Sequence, residues 1–329
     1  MKVLKNILRF SLPLTFGILI FMWVYRKMDF GQIWVILEEG VAYRWLALSI
    51  VLGILSHVLR AARWRLLVRL LGVNPSLNTL TNAVFINYGA NLILPRLGEV
   101  WRCVYIAKKE KTTFTKVFGT MLSERLVDVL LMVILIVIGM FTMMDVFSSF
   151  FKENIQFKIP YTWVLFSPYL YLGIALMMGF LFFVYHKSKH LSLFLKIKLL
   201  LHELWIGLKT LIVLPHKGLF TVLSLLIWFC YLMQLYVCFF AFHFTQDLGL
   251  AIGFSMFIMG SIAFSLPVQG GIGPWHFMII STMVFYGVGQ TEAAAFALIV
   301  HTLQTLENAM VGVYAFFVTG TSNLKNENI

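Results

Sequence analysis

Charge is scarce in this chain. Only 12% of its 329 residues are Asp, Glu, Lys or Arg, where a soluble domain carries about 25%, and 60% are hydrophobic. That shortage excludes a soluble globular protein and marks an integral membrane protein. Acidic residues are the rarer kind, 14 against 26 basic ones, for a net charge of +12. In a soluble chain such an excess would suggest nucleic acid. Here it is what cytoplasmic loops collect when they orient the spans, and no motif interleaves basic residues with exposed aromatics. Cysteine is nearly absent, with only Cys103, Cys230 and Cys238. Neither a metal-ligand spacing nor a disulfide framework is present, and Cys230 and Cys238 share one apolar run, as small packed hydrophobes do. Enzyme signatures are missing too. His202-Glu203 is followed by Leu204-Trp205-Ile206, so the second histidine of a zinc helix is lacking. There is no Gly-x-Ser-x-Gly elbow and no aspartate pair of the intramembrane-protease kind. No cofactor, catalytic residue or metal ligand is expected.

What the chain does have is a succession of apolar runs. They predict an all-α polytopic membrane helical bundle of roughly seven or eight spans, at about 20 apolar residues each. It forms a single integral domain over residues 1–320 with a polar tail at 321–329. Lys2, Lys5 and Arg9 precede the first run, about 10–25, and Arg26-Lys27 follows it in place of a small-x-small cleavage site. That predicts a retained first span. The second begins near Trp45 and runs into Arg60, Arg63, Arg65 and Arg69, which marks the inner face. Spans three and four are expected at about 117–144 and 163–185. The segment 187–209 alternates basic residues with Leu and Phe and fits a helix lying in the inner interface. Further spans are expected at about 218–244, 250–266 and 292–319, with 277–288 a half-helix or short span.

Two runs are interrupted. The stretch from about 80 to 94 carries Asn82, Asn87 and Asn91 and ends at Pro95-Arg96-Leu97-Gly98-Glu99, with basic residues on both sides. A re-entrant hairpin returning to the same face is its simplest topology. Later, Pro267-Val268-Gln269-Gly270-Gly271-Ile272-Gly273-Pro274-Trp275-His276 breaks a second run. Broken helices at membrane depth are tolerated only where they line a cavity or are buried in protein, and ionised groups there must pair or face a polar cavity. Shifting the sequence by 172 positions pairs Phe85 with Phe257, Leu94 with Leu266, Pro95 with Pro267 and Gly98 with Gly270. This suggests an inverted repeat, the arrangement in which two breaks meet at a transporter's substrate site.

Four constellations are candidates for binding. Asn91, Arg96, Glu99 and Arg102 come first, because a guanidinium fork matches phosphate or carboxylate; the plainer alternative is an interfacial cluster in which Glu99 holds Arg102. Glu124, Arg125 and Asp128 come second. Helical spacing puts both acids on one face with Arg125 in reach of Asp128, either as a self-neutralised helix end or with Arg125 sharing an anion with Arg96 or Arg102. Third are Gln269, Gly270, Gly271, Gly273 and His276, where glycines permit close backbone approach and a helix starting after Pro274 aims free N–H groups at an anion; a tight turn is the alternative. Fourth are His301, Gln304 and Glu307, a polar stripe on the last helix.

At these residues the chain resembles the lysylphosphatidylglycerol synthase transmembrane-domain family, the flippase-like domain of bacterial multiple peptide resistance factors. The resemblance rests on residues 91–99 with Arg102, on Glu124-Arg125-Leu126 with Asp128, on Gly270-Gly271-Ile272-Gly273, on the polar last helix, and on Arg-x-x-Arg-Trp-Arg at 60–65. Two departures matter: His276 stands where the family usually has Glu, and His301 where it often has Arg. A charge pair replaced by two histidines implies a different substrate. The cytoplasmic aminoacyl-transfer domain of the full-length synthases is not expected here, nor is lipid aminoacylation by this polypeptide alone.

The resemblance implies a lipid flippase or lipid-binding transporter of the bacterial cytoplasmic membrane. An anionic headgroup would meet Arg96, Arg102 and Arg125 and pass Asn91, the glycine break and the His276/His301 pair. The expected partner is membrane phospholipid or another lipid, with a second copy of the chain and a separate lipid-modifying enzyme left open. Two other classes also stay open: a membrane enzyme using His276 or His301 as general base, and a scaffold binding partners through its interfacial helix.

Overall fold

The computed structural model describes residues 15, 17–26, 28, 30–38, 40–94, 96–142, 205, 209–211, 213–266 and 268–326. Pro95, Pro267, the fourth span and nearly all of the expected interfacial helix fall outside them. All regular structure among the described residues is helical.

After a helical stretch at 17–25 come α1 (Phe30–Glu38), α2 (Tyr43–Arg69), α3 (Leu77–Ile93), α4 (Leu97–Lys109) and α5 (Phe114–Thr142). Then follow α6 (Lys217–Tyr236) with a 3₁₀ turn at Val237–Ala241, α7 (Leu250–Ser265), a 3₁₀ turn at Gln269–Gly271, α8 (Pro274–Phe285) and α9 (Gln290–Asn326). The last helix thus runs on through Asn326, past the expected end at 319. Two described helical segments, Tyr43–Arg69 and Lys217–Ala241, are long and apolar enough to cross a membrane.

Both interrupted runs are helical hairpins. Helices α3 and α4 fold back on one another, as do α7 and α8. At 17, 13, 16 and 12 residues the arms span only about 18–26 Å at 1.5 Å per residue, short of the roughly 30 Å hydrocarbon core. The local causes are legible. Ser76 caps α3 by accepting from the Thr79 N–H at 3.1 Å. Leu94 turns extended, and Arg96 takes the left-handed conformation (φ 65°) that starts α4. In the second hairpin Leu266 turns extended. Gly273 (φ 90°) then places Pro274 at the first helical position, where a missing N–H is harmless. A side chain at Gly273 would also run into the Gly17 carbonyl.

Helices α2 and α9 join the hairpins. Helix α2 packs on α3 and α6, and α9 on α3 and α8. Two large buried cores result. Ala61, Trp64, Leu80, Val84, Cys103, Ile106 and Met121 fill the first hairpin's side. Phe239, Met256, Trp275, Ile279, Met283, Phe296 and Val300 fill the other. The outward faces stay apolar: Val129, Leu130, Val133, Ile134, Val137 and Ile138 on α5, and Met310, Val313, Tyr314, Phe316 and Phe317 on α9, are exposed. Exposed apolar surface on this scale suits a bilayer.

Candidate functional site

Arginines from three helices meet acids from two beside the first hairpin. Arg102 on α4 and Arg63 on α2 are fully buried, as is Glu124 on α5. Arg102 Nη2 donates to Glu124 Oε2 at 3.0 Å, and its guanidinium carbon lies 4.4 Å from the Trp64 ring centroid. Arg63 Nη2 reaches Glu124 Oε1 at 3.4 Å and Asp128 Oδ1 at 2.9 Å. Arg60 Nη1 donates to Asp128 Oδ2 at 2.9 Å, while its Nε and Nη2 donate to the Tyr231 hydroxyl on α6 at 3.3 and 3.0 Å. Charges this deep are tolerable only because they are paired and hydrogen-bonded. A looser pair lies at the edge, where Arg125 Nη2 meets Glu99 Oε1 at 2.6 Å with side-chain exposures of 35% and 20%. Arg96 is exposed, without an ion-pair partner among the described residues.

The partners differ from the sequence expectation. Glu99 does not hold Arg102; it holds Arg125, and Arg102 belongs to Glu124. The i,i+3 pair Arg125–Asp128 is only marginal, at 4.0 Å. Helix geometry brings neighbours three residues apart within reach, but interhelical packing offered each arginine a better-aligned acid. Arg96, Arg102 and Arg125 therefore do not share one open anion site: Arg102 is sealed, and Arg96 and Arg125 keep exposed surface. Arg60 and Arg63, expected to mark the inner face, are instead buried at 3% and 0% exposure.

The two breaks meet, as the repeat suggested. Gln269 Nε2 donates to the Ile93 carbonyl at 3.4 Å, and a Cβ on Gly270 would lie 3.7 Å from Leu92 Cδ2. His301 of α9 sits beneath, its Nε2 2.7 Å from the Gly270 carbonyl. A carbonyl only accepts, so Nε2 carries the proton. His276 Nδ1 accepts from the Gly273 N–H at 3.4 Å, and the two imidazoles lie 4.5 Å apart. Asn91 Oδ1 accepts from the Gly98 N–H at 2.9 Å, closing the first break. Gln269, His276 and His301 are 5%, 2% and 5% exposed, and Gly271 is buried. These groups fasten interrupted backbone, as the backbone's unsatisfied groups demand.

Glu307 diverges from His301. The Gln304 backbone carbonyl accepts from Asn308 Nδ2 at 2.9 Å. Glu307 is buried among His57 of α2 and Gln234 of α6, neither of which sequence reasoning picked out. Two grooves, of about 460 and 310 Å³, are lined mainly by apolar side chains and touch none of the fifteen candidates.

The pattern of the lysylphosphatidylglycerol synthase TM region matches residues 10–312. The chain belongs to this family. A relative is a UPF0104 membrane protein of Methanocaldococcus jannaschii, 31% identical over 99 residues. That alignment covers 29% of this chain and 30% of the relative's length. No solved structure matches. As a member of the lysylphosphatidylglycerol synthase TM family, the chain is a membrane protein. Most of the residues that carried the resemblance build the ion-pair cluster and the hairpin junction.

Proposed function

We propose that this protein is a multi-pass lipid translocator of the cytoplasmic membrane, moving an anionic phospholipid between leaflets without changing it chemically. The observation that carries this reading is the contact between the two interrupted hairpins. Short helix arms that end at one another place freed backbone groups and polar side chains inside the bundle, the arrangement transporters use at their substrate sites. In the state described here the junction is closed by Gln269–Ile93 and His301–Gly270. Opening it exposes those carbonyls and amides to a headgroup.

Entry is at Arg125 and Arg96. Both have exposed surface, Arg96 begins the helix whose first turn carries Glu99, and Glu99 is the group a lipid phosphate would displace from Arg125. A bidentate guanidinium–phosphate contact replaces the carboxylate contact in kind. Arg102, Arg63 and Arg60 serve as the anchored base against which that exchange happens, not as ligands. The acyl chains stay outside, along the exposed apolar faces of α5 and α9.

The test is leaflet exchange of fluorescent phosphatidylglycerol in vesicles containing the purified protein. Exchange faster than in protein-free vesicles, reduced by Arg125→Ala, is expected. Equal rates with and without protein would overturn the reading, and covalently altered lipid recovered from the vesicles would show an enzyme instead.

A further inference from the structure

A second buried polar site lies away from the hairpin junction, where three helices converge on the Glu307 carboxylate. Glu307 is 2% exposed. Its Oε2 accepts from Gln234 Nε2 at 2.9 Å. Its Oε1 lies 3.6 Å from His57 Nε2 and has no hydrogen-bond partner among the described residues. The space exists because residue 53 is glycine: any Cβ there would collide with both carboxylate oxygens and with Gln234 Nε2. The His57 ring, 4% exposed, lies 3.9 Å from the Tyr88 ring, with Phe85 edge-on at 6.1 Å. Bulk water is excluded.

The donor set discriminates between ligands. A hard cation needs about six oxygens, whereas this site offers one carboxylate, an amide presenting its NH₂, an imidazole and, beside His57, the Asn308 side chain. A proton needs only the free Oε1 or the facing ring nitrogen, and a small approach of His57 makes a hydrogen bond between them. The site also communicates. Tyr231 accepts twice from Arg60, so its own hydroxyl proton goes to Tyr88, 3.0 Å away. Arg60 in turn holds Asp128. The Tyr88 ring, tilted 32° against His57, therefore separates it from the polar chain through Tyr231, Arg60 and Asp128. Glu307 faces His57 of α2; Tyr88 of α3 lies against His57, and Tyr231 of α6 and Arg60 of α2 follow beyond it. His276 of α8 and His301 of α9 are engaged at the glycine break, and Glu38 of α1 accepts from Trp34.

We propose that Glu307 and His57 form a proton-binding site that couples lipid movement to a proton gradient. The coupling rests on the translocator reading, but the site itself does not. Infrared difference spectra of the full chain in phosphatidylglycerol nanodiscs, stepped in pH, read the site directly. A protonated-carboxyl band that titrates in the wild type, vanishes in Glu307→Gln and moves its midpoint in His57→Asn is expected. A titrating band that survives unchanged in Glu307→Gln, or no titrating band, overturns the site. Should Glu307→Gln fail to fold, His57→Asn decides instead, and a midpoint that stays in place there overturns the site. In vesicles, lipid exchange should respond to an imposed pH gradient in the wild type and lose that response in Glu307→Gln. A Glu307 band with no lipid exchange at all would sink the translocator reading and leave the proton site standing. Exchange indifferent to the gradient would sink the coupling.

Discussion

Gly89 on α3 and Gly312 on α9 meet backbone to backbone. A Cβ on Gly89 would lie 2.7 Å from the Gly312 Cα, and one on Gly312 would lie 2.6 Å from the Gly89 Cα. No flexible side chain stands between them to give way, so the two helices themselves must part to admit a methyl group. Small residues allow this close approach in membrane bundles, where packing rather than hydrophobicity holds helices together. Because α3 carries one break and α9 carries His301 and Glu307, this crossing sets the spacing of both polar sites. Gly312→Ala should lower stability by about 1–3 kcal/mol, the usual cost of overpacking. Gly218→Ala, which meets open space, should stay within about 0.5 kcal/mol. Denaturant unfolding in detergent checks the pair, and equal midpoints for the two variants would contradict the contact.

Arg102 and Glu124 should behave as a unit. Removing either leaves a fully buried charge short of its partner, which typically costs about 3–5 kcal/mol. Arg102→Ala and Glu124→Ala should therefore each be severely destabilising, while the double variant should lose much less than their sum. Strict additivity in a double-mutant cycle would show that the pair does not interact.

Tyr231→Phe should cost more than Tyr88→Phe. The first takes the acceptor away from two N–H groups of Arg60, a charged donor, at about 1.5–3 kcal/mol. The second removes one neutral hydroxyl contact, at about 0.5–1.5 kcal/mol. Unfolding midpoints of the two single variants give the order directly; the reverse order would mean that Arg60 does not depend on Tyr231.

Arg96→Gly and Arg125→Ala should separate activity from stability. Arg96 holds a left-handed backbone that costs a side-chain-bearing residue about 1–2 kcal/mol, so glycine relieves strain there. Arg125 is partly exposed, and exposed ion pairs contribute about 0–1 kcal/mol. Neither variant should be destabilised by more than about 1 kcal/mol, and yet both should exchange phosphatidylglycerol about tenfold more slowly, about 1.4 kcal/mol of activation free energy. Full exchange rates in both would remove Arg96 and Arg125 from the entry site.

How much of this was legible in the sequence follows the range of each interaction. The breaks at 94–98 and 266–274 announce themselves through proline, glycine and charge in apolar surroundings, and the first reads as a hairpin. The meeting of the two tips was suggested by the matched residues of the two halves, and Gln269 on Ile93 bears it out. The acids Glu124 and Asp128 stood out as intramembrane charges, as did the polar stripe beginning at His301. Their partners did not. A local rule links Arg125 to Asp128 and Glu99 to Arg102, yet both preferred contacts run between helices. Arg60 and Arg63 looked like loop-flanking cations because charge near the end of an apolar run has that meaning on average. Their i,i+3 spacing on an apolar helix was the signal of a buried pair. His57, Tyr88, Tyr231 and Gln234 gave no sign, because polar residues scattered through apolar helices do not announce which neighbours they will meet.

The sequence alone determined that this is a helical membrane protein with two interrupted apolar runs, because hydropathy, helix-breaking and the cost of buried charge act along the chain. Only the tertiary structure decided which arginine each acid neutralises, that Asn91 and His301 fasten the breaks, and that Glu307 faces His57 through the gap left by Gly53. Those outcomes depend on which helix faces cross and how closely backbones approach, quantities set by packing among residues far apart in the chain.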